Sequence, residues 1–133
     1  MRVALRSAAF AVAATATLAL SAPALGHQTV TDRGVAVTLH VLPDDEPKAG
    51  MPATIVVVSV HPPKGGRFRF RACACRVKVT DASGHVLLDK RTGKRTTFTF
   101  PDQAAYEITY SGSYRAKTHR TRRFSTAFAI RAI

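Results

Sequence analysis

Phe98-Thr99-Phe100-Pro101-Asp102-Gln103-Ala104-Ala105-Tyr106-Glu107-Ile108 is the stretch that decides the fold of this chain. Its two flanks alternate apolar and polar residues with a period of two, and a Pro-Asp-Gln break joins them. Successive side chains of a strand point to opposite faces, so this alternation marks strands with one buried face. The stretch predicts strands at about 95–100 and 105–110 around a tight connection.

The same period recurs outward in both directions, and helical periodicity is absent. Val35, Val37, Leu39 and Val41 share one face of a first strand, with Thr38 and His40 opposite. Pro43 to Pro52 is turn chemistry holding the acidic run Asp44-Asp45-Glu46, and residues 53–60 form a more uniformly apolar strand. His61-Pro62-Pro63-Lys64-Gly65-Gly66 then breaks regular structure. Beyond it, Phe68 and Phe70 alternate with Arg67, Arg69 and Arg71, whereas Cys73, Cys75, Val77 and Val79 occupy the other parity. A strand cannot change parity without a bulge or bend, so an irregularity is expected near Ala72. A third strand is expected over 73–80, with 61–72 as its basic approach loop. Asp81-Ala82-Ser83-Gly84 signals a tight turn. Strands at 85–90 and 124–132 complete the pattern, and 111–123 reads as a long polar connection. About seven short strands make an all-β antiparallel sandwich.

The quoted stretch also resembles the tyrosine corner of immunoglobulin-like sandwiches. There a Tyr near the start of the sixth strand bonds back to upstream backbone, and the residue two positions on faces the core. Tyr106 and Ile108 match those positions. Ile108 stands where the inter-sheet cystine would be, and the chain has no Trp, which sets it apart from antibody-type domains.

The N-terminus has the form of a secretory signal peptide: Arg2 and Arg6, an apolar run from Ala8 to Leu20, and small residues in Ala24-Leu25-Gly26 before a cleavage point. That run is shorter than the roughly 20 residues of a membrane span. Residues 1–26 are therefore expected to leave, exposing His27 and a single domain over 27–133 in the periplasm or extracellular space. The remaining chain keeps 18 basic side chains against 8 acidic ones. Such an excess attracts anionic lipid or glycan surfaces. Nucleic acid is not an expected partner outside the cell, and the domain is expected to be a monomer.

Strand order places the charges. In a seven-strand immunoglobulin-like sandwich the loops after strands two, four and six share one end. Here those loops hold Lys64, Arg67, Arg69, Arg71, Arg91, Lys94, Arg115, Lys117, Arg120, Arg122 and Arg123, and no acid. The other end receives Asp44, Asp45, Glu46, Asp81 and Asp102, with Lys48 as its base. The basic end is either a solvated surface or a docking face for anions built on Arg67, Arg69, Arg71, Arg115, Lys117, Arg120, Arg122 and Arg123, with Phe68, Phe70 and Tyr114 as apolar anchors.

If the first strand starts at the basic end, His27 falls there with His61, His119, Cys73 and Cys75, while His40 and His85 lie toward the other end. An N-terminal His offers an amine and an imidazole to Cu(II), and two thiolates suit Cu(I) or Zn(II). Cys73 and Cys75 have three readings: metal ligands, buried free thiols, or a disulfide. Residues i and i+2 of a regular strand stand roughly 6.6 Å apart, near the upper limit for a cystine, so a bridge needs the distortion expected at Ala72.

The stretch from Val35 to Ile133 resembles small bacterial exported domains of the YtkA-like type. The features that carry this are Val37-Thr38-Leu39, the Pro/Gly loop before strand two, Val77 to Val86 around Asp81-Ala82-Ser83-Gly84, and Phe100-Pro101 through Tyr106. The resemblance implies an immunoglobulin-like sandwich linked to copper handling or oxidase maturation. Cys73-Ala74-Cys75 and the basic loops have no counterpart in it. No catalytic motif stands out. The expectation is a non-catalytic binding protein: a copper-binding or copper-delivery accessory protein exchanging copper with a donor or acceptor protein through His27, Cys73, Cys75, His61 and His119. The alternative is an interaction module whose basic end docks on anionic envelope components or a partner protein.

Overall fold

The computed structural model describes residues 28–133, and both the expected signal peptide, residues 1–26, and His27 lie outside them. The elements are β1 (Gln28–Asp32), β2 (Val35–Leu42), β3 (Pro52–His61), β4 (Arg76–Asp81), β5 (Val86–Arg91), β6 (Arg95–Thr99), β7 (Ala105–Arg115) and β8 (Thr121–Arg131). They form two four-stranded antiparallel sheets in the orders β1-β2-β3-β6 and β5-β4-β7-β8, the two layers of a β-sandwich.

Alternation does what the sequence pattern requires. Val35, Val37, Leu39 and Val41 of β2 face inward with Ile55 and Val57 of β3; Val77, Val79, Ile108, Tyr110, Phe124 and Phe128 meet them from the other sheet. Tyr110 and Phe128 are fully buried. Burial pushes the Tyr110 phenol above its ordinary pKa, and its hydroxyl donates to Gly93 O at 3.2 Å. Thr126, buried among these apolar groups, donates to Tyr110 O at 3.0 Å. No buried side-chain polar atom among the described residues lacks a partner.

The Tyr106 corner forms as the quoted stretch implies. Its hydroxyl donates to Asp102 O at 2.9 Å and accepts the Asp102 N–H at 3.0 Å. The connection between β6 and β7 is thereby tied to the core from within. Tyr106→Phe leaves a backbone N–H and a carbonyl without their partner, so a loss of about 1–2 kcal/mol is expected in urea unfolding. An unchanged midpoint would show that the corner adds nothing.

Three features depart from the sequence expectations. An additional strand, β1, precedes the first expected one and pairs with β2 through an Arg33-Gly34 turn with φ of 49° and 82°. Positive φ at both central residues is the requirement of a type I′ hairpin. β1 also closes the free edge of β8: Gln28 Nε2 donates to Ala129 O at 2.7 Å, and Ser125 N donates to Asp32 Oδ2 at 2.9 Å.

The second departure is the segment 111–123, which is a β-hairpin and not a loop: β7 runs to Arg115 and β8 begins at Thr121. The hairpin extends past the start of β4, where the 61–75 loop takes over as its neighbour. Ser113 N donates to Cys73 O at 2.9 Å, while Arg67 and Arg115 exchange backbone bonds of 2.8 and 2.9 Å. Polar composition concealed a strand paired with β8 on one edge and with a loop on the other. The turn itself carries Ala116 to Arg120, with a His119 N to Ala116 O bond of 2.8 Å and His119 in the left-handed region at φ 63°. This is a type I turn followed by a left-handed residue.

Third, β4 starts at Arg76, not at Cys73. Residues 73–75 form a turn with Ala74 at φ 48°, and Cys73 is joined to Cys75 by a disulfide. The turn shortens the Cα separation to 5.0 Å, inside the range a cystine accepts. The expected irregularity near Ala72 is present. A turn closed by Ala72 N donating to Arg69 O at 3.1 Å lets Phe68, Phe70, Cys73 and Cys75 all pack on the core despite opposite parity.

At the far end of the sandwich, the turns carry the acids. Asp45 accepts the Val41 N–H at 2.7 Å and bonds His40 at 3.0 Å. Asp81 accepts the N–H groups of His85 and Ser83, each at 2.9 Å. These bonds, that from His85 foremost, hold the Asp81 carboxyl below its ordinary pKa. A group depressed by folding adds stability above its unfolded pKa and loses it as the pH falls through the folded value. An NMR titration should place the Asp81 midpoint below the usual Asp value of about 3.9; a midpoint above it would contradict the turn geometry.

Candidate functional site: a cation-lined cavity

The end opposite the acidic turns gathers the β1–β2 turn, the 61–75 loop, the 92–94 turn and the β7–β8 turn. Registers fix this: Ala36 pairs with His61, Arg76 with both Arg91 and Ser111, and Arg115 with Thr121. Between the 61–72 loop and the β7–β8 hairpin lies a half-open cavity of about 570 Å³. Arg67, Arg69, Arg115, Lys117 and His119 line it together with Tyr114 and Thr121, and none of its lining residues is acidic.

The cationic side chains are held there by backbone. Arg67 and Arg115 form an antiparallel bridge, so their side chains leave one face from directly opposed positions. Two like charges so placed repel each other. The loop can reach Arg115 because Gly66 packs where any Cβ would meet Pro62 and the Pro63 carbonyl, each at 3.0 Å. At neighbouring Gly65, a Cβ would stand 2.9 Å from Lys117 Cδ, so the Lys117 stem lies across that glycine. The ion pairs of the described residues are His40–Asp45, Arg76–Asp89 and His85–Asp81. None involves a cation of the cavity. Its charge is left to solvent or to a ligand.

The residues singled out from the sequence are distributed as follows. Arg67, Arg69, Arg115 and Lys117 line the cavity. Arg71 and Arg120 are exposed at the same end, and Arg122 and Arg123 pair with Tyr114 and Ser113 at the base of the hairpin; these four are not part of the lining. Arg33 of the β1–β2 turn joins this end and was missed because β1 was missed. Asp32 stands there too, an acid where none was expected, occupied with Ser125 N.

Phe68, Phe70 and Tyr114 are half-buried against the core. The two Phe rings contact each other edge to face at 5.0 Å, and Phe68 reaches Phe124 at 6.0 Å. They support the loop from beneath, which turns Arg67, Arg69 and Arg71 outward. Lys94 Nζ sits 6.0 Å over Phe70 and adds a cation behind the loop.

The residues considered for copper are less gathered. His61 is exposed at the end of β3, and His119 lines the cavity. The Cys73 and Cys75 sulfurs are buried and bonded to each other, so neither is a thiolate in this form. No group of three or more His, Cys, Asp or Glu that could hold a metal ion occurs among the described residues. His27 lies outside them. The chain enters β1 at Gln28, which pairs with Leu39 toward the acidic end. The expected first strand, β2, does start beside the basic loops, where Ala36 pairs with His61; the unforeseen β1 leads into it, and β1 spans about 13 Å from Gln28 to the basic end. Alkylation of the denatured protein should modify no cysteine before reduction and two after it; labelling without reductant would refute the bridge.

Comparison of the chain with protein families, curated proteins and solved structures found no match.

Proposed function

We propose that this chain is an exported, non-catalytic binding module that uses its basic end to engage anionic envelope surfaces. The observation that carries this reading is the cavity in which Arg67, Arg69, Arg115, Lys117 and His119 meet without an acidic neighbour. A solvated surface gains nothing from directly opposing two arginines at a bridge, whereas an anion between them turns repulsion into attraction. The segment 1–26 supports export, and the Tyr106 corner with the sheet order supports an immunoglobulin-like type of sandwich. Copper delivery would use the reduced form, in which Cys73 and Cys75 are free to ligate.

The test is sedimentation with vesicles containing phosphatidylglycerol. Binding should be strong at about 0.1 M salt and fade toward about 1 M, as the screening length falls from ~10 to ~3 Å. Absent or salt-insensitive binding rejects the reading.

A further inference from the structure

The cavity is more than a charged patch, because several cationic residues line one half-open volume of about 570 Å³. Arg67 and Arg115 present two guanidinium forks from opposed positions of one backbone bridge, and Arg69 and Lys117 add two further cations to the same lining. Tyr114, Thr121 and His119 share the lining. Ser113 also lines it, but its hydroxyl is committed to Cys73 O at 3.1 Å. Nothing in the lining carries a carboxylate, so the site offers hydrogen-bond donors and positive charge almost exclusively.

A monocarboxylate would fill one guanidinium fork and leave the others repelling. A sulfate ester or phosphodiester brings a single charge. A phosphate monoester brings close to two charges and three terminal oxygens, which match two forks and an ammonium at once. The volume of about 570 Å³ lies within the range of small-molecule sites, roughly 300–1,000 Å³. It holds a glycerol- or sugar-sized group beside the phosphate. On the reading that the basic end engages anions, we infer that the cavity between the 61–72 loop and the β7–β8 hairpin is a receptor site for a phosphate monoester, either a soluble glycerol or sugar phosphate or a lipid headgroup ending in one.

The experiment has a soluble arm and a membrane arm. Calorimetric titration of the purified protein with glycerol 3-phosphate is compared with glycerophosphoglycerol, the corresponding diester. Vesicles containing phosphatidic acid are compared with phosphatidylglycerol vesicles matched in surface charge. Tenfold or greater preference for the soluble monoester supports the inference with a soluble ligand; preference confined to phosphatidic acid vesicles supports it with a lipid one. In either case Arg67→Gln with Arg115→Gln should weaken monoester binding at least tenfold. The bridge between these residues is made by backbone, so the double variant keeps its thermal midpoint, and Lys117→Met provides an independent second variant. Arg131→Gln, at the other end of β8, should change nothing. Equal binding of monoester and diester in both arms, or full binding by the double variant, overturns the inference. Salt-sensitive binding to both vesicle types would then leave the anionic-surface function intact, whereas failure to bind any of the four probes would remove both.

Discussion

Replacing Arg67, Arg115 and Lys117 together by Gln is expected to weaken vesicle binding about a hundredfold while leaving the fold intact. Each cation near an anionic surface is worth about 1 kcal/mol, so three amount to roughly a hundredfold loss in affinity. The same replacement relieves repulsion at the Arg67–Arg115 bridge, where like charges oppose each other without an acid. Its thermal midpoint should therefore hold or rise by a few degrees. The combination matters more than either readout. If binding falls and stability does not, the cluster is held for a partner. If binding persists in the triple variant, the cavity cations are a solvated surface and docking lies elsewhere.

Gly112→Val is expected to be the most damaging single substitution near the site. Gly112 is a buried position of β7 whose side-chain space is already taken: a Cβ there would lie 2.5 Å from Cys75 Sγ, 3.2 Å from Cys73 O and 3.3 Å from Phe124 Cζ. The sulfur cannot swing aside, because it is bridged to Cys73, and Cys73 O accepts bonds from both Ser113 N and Ser113 Oγ. Relief must come from shifting the 73–75 turn or the hairpin. Overpacking of this kind costs about 3 kcal/mol, equivalent to a fall of the order of 15 °C in the midpoint for a domain of this size. A double-mutant cycle isolates the cause: in a Cys73→Ala, Cys75→Ala background, Gly112→Ala should cost clearly less than in the native chain. Equal costs in both backgrounds would show that the disulfide does not define the space above Gly112. Because Ala72 lines the cavity, the Gly112→Val variant should also bind anions more weakly than its remaining folded fraction accounts for.

These two positions show where sequence reading succeeds and where it stops. Strands β2 to β8 were legible in outline because alternation records which face is buried, and burial at Val37, Val77, Ile108 and Phe128 follows it. The corner was legible because Tyr106 and Asp102 are neighbours along the chain. β1 was not found: its burial alternates only weakly, and its partners include β8, nearly a hundred residues on. The 111–115 extension was hidden for a related reason: it pairs with a polar stretch of β8 on one side and with Arg67 and Cys73 of a loop on the other.

From its own residues, then, the chain determines an alternating pattern, a parity break before Cys73, and a surplus of cations in the loops that follow the expected second, fourth and sixth strands. Those properties are local, and each is written in neighbouring side chains. Tertiary structure decides that the 73–75 turn brings the two sulfurs within bonding reach. It also opposes Arg67 to Arg115 across a backbone bridge and sets Gly112 under Cys75. Pairings between residues about 40 positions apart leave no periodic trace, because nothing in either segment alone favours the other. They arise when the core fixes both segments and unsatisfied backbone groups must find partners. The basic loops supply the charge, and the pairing of one loop with the hairpin turns that charge into a site.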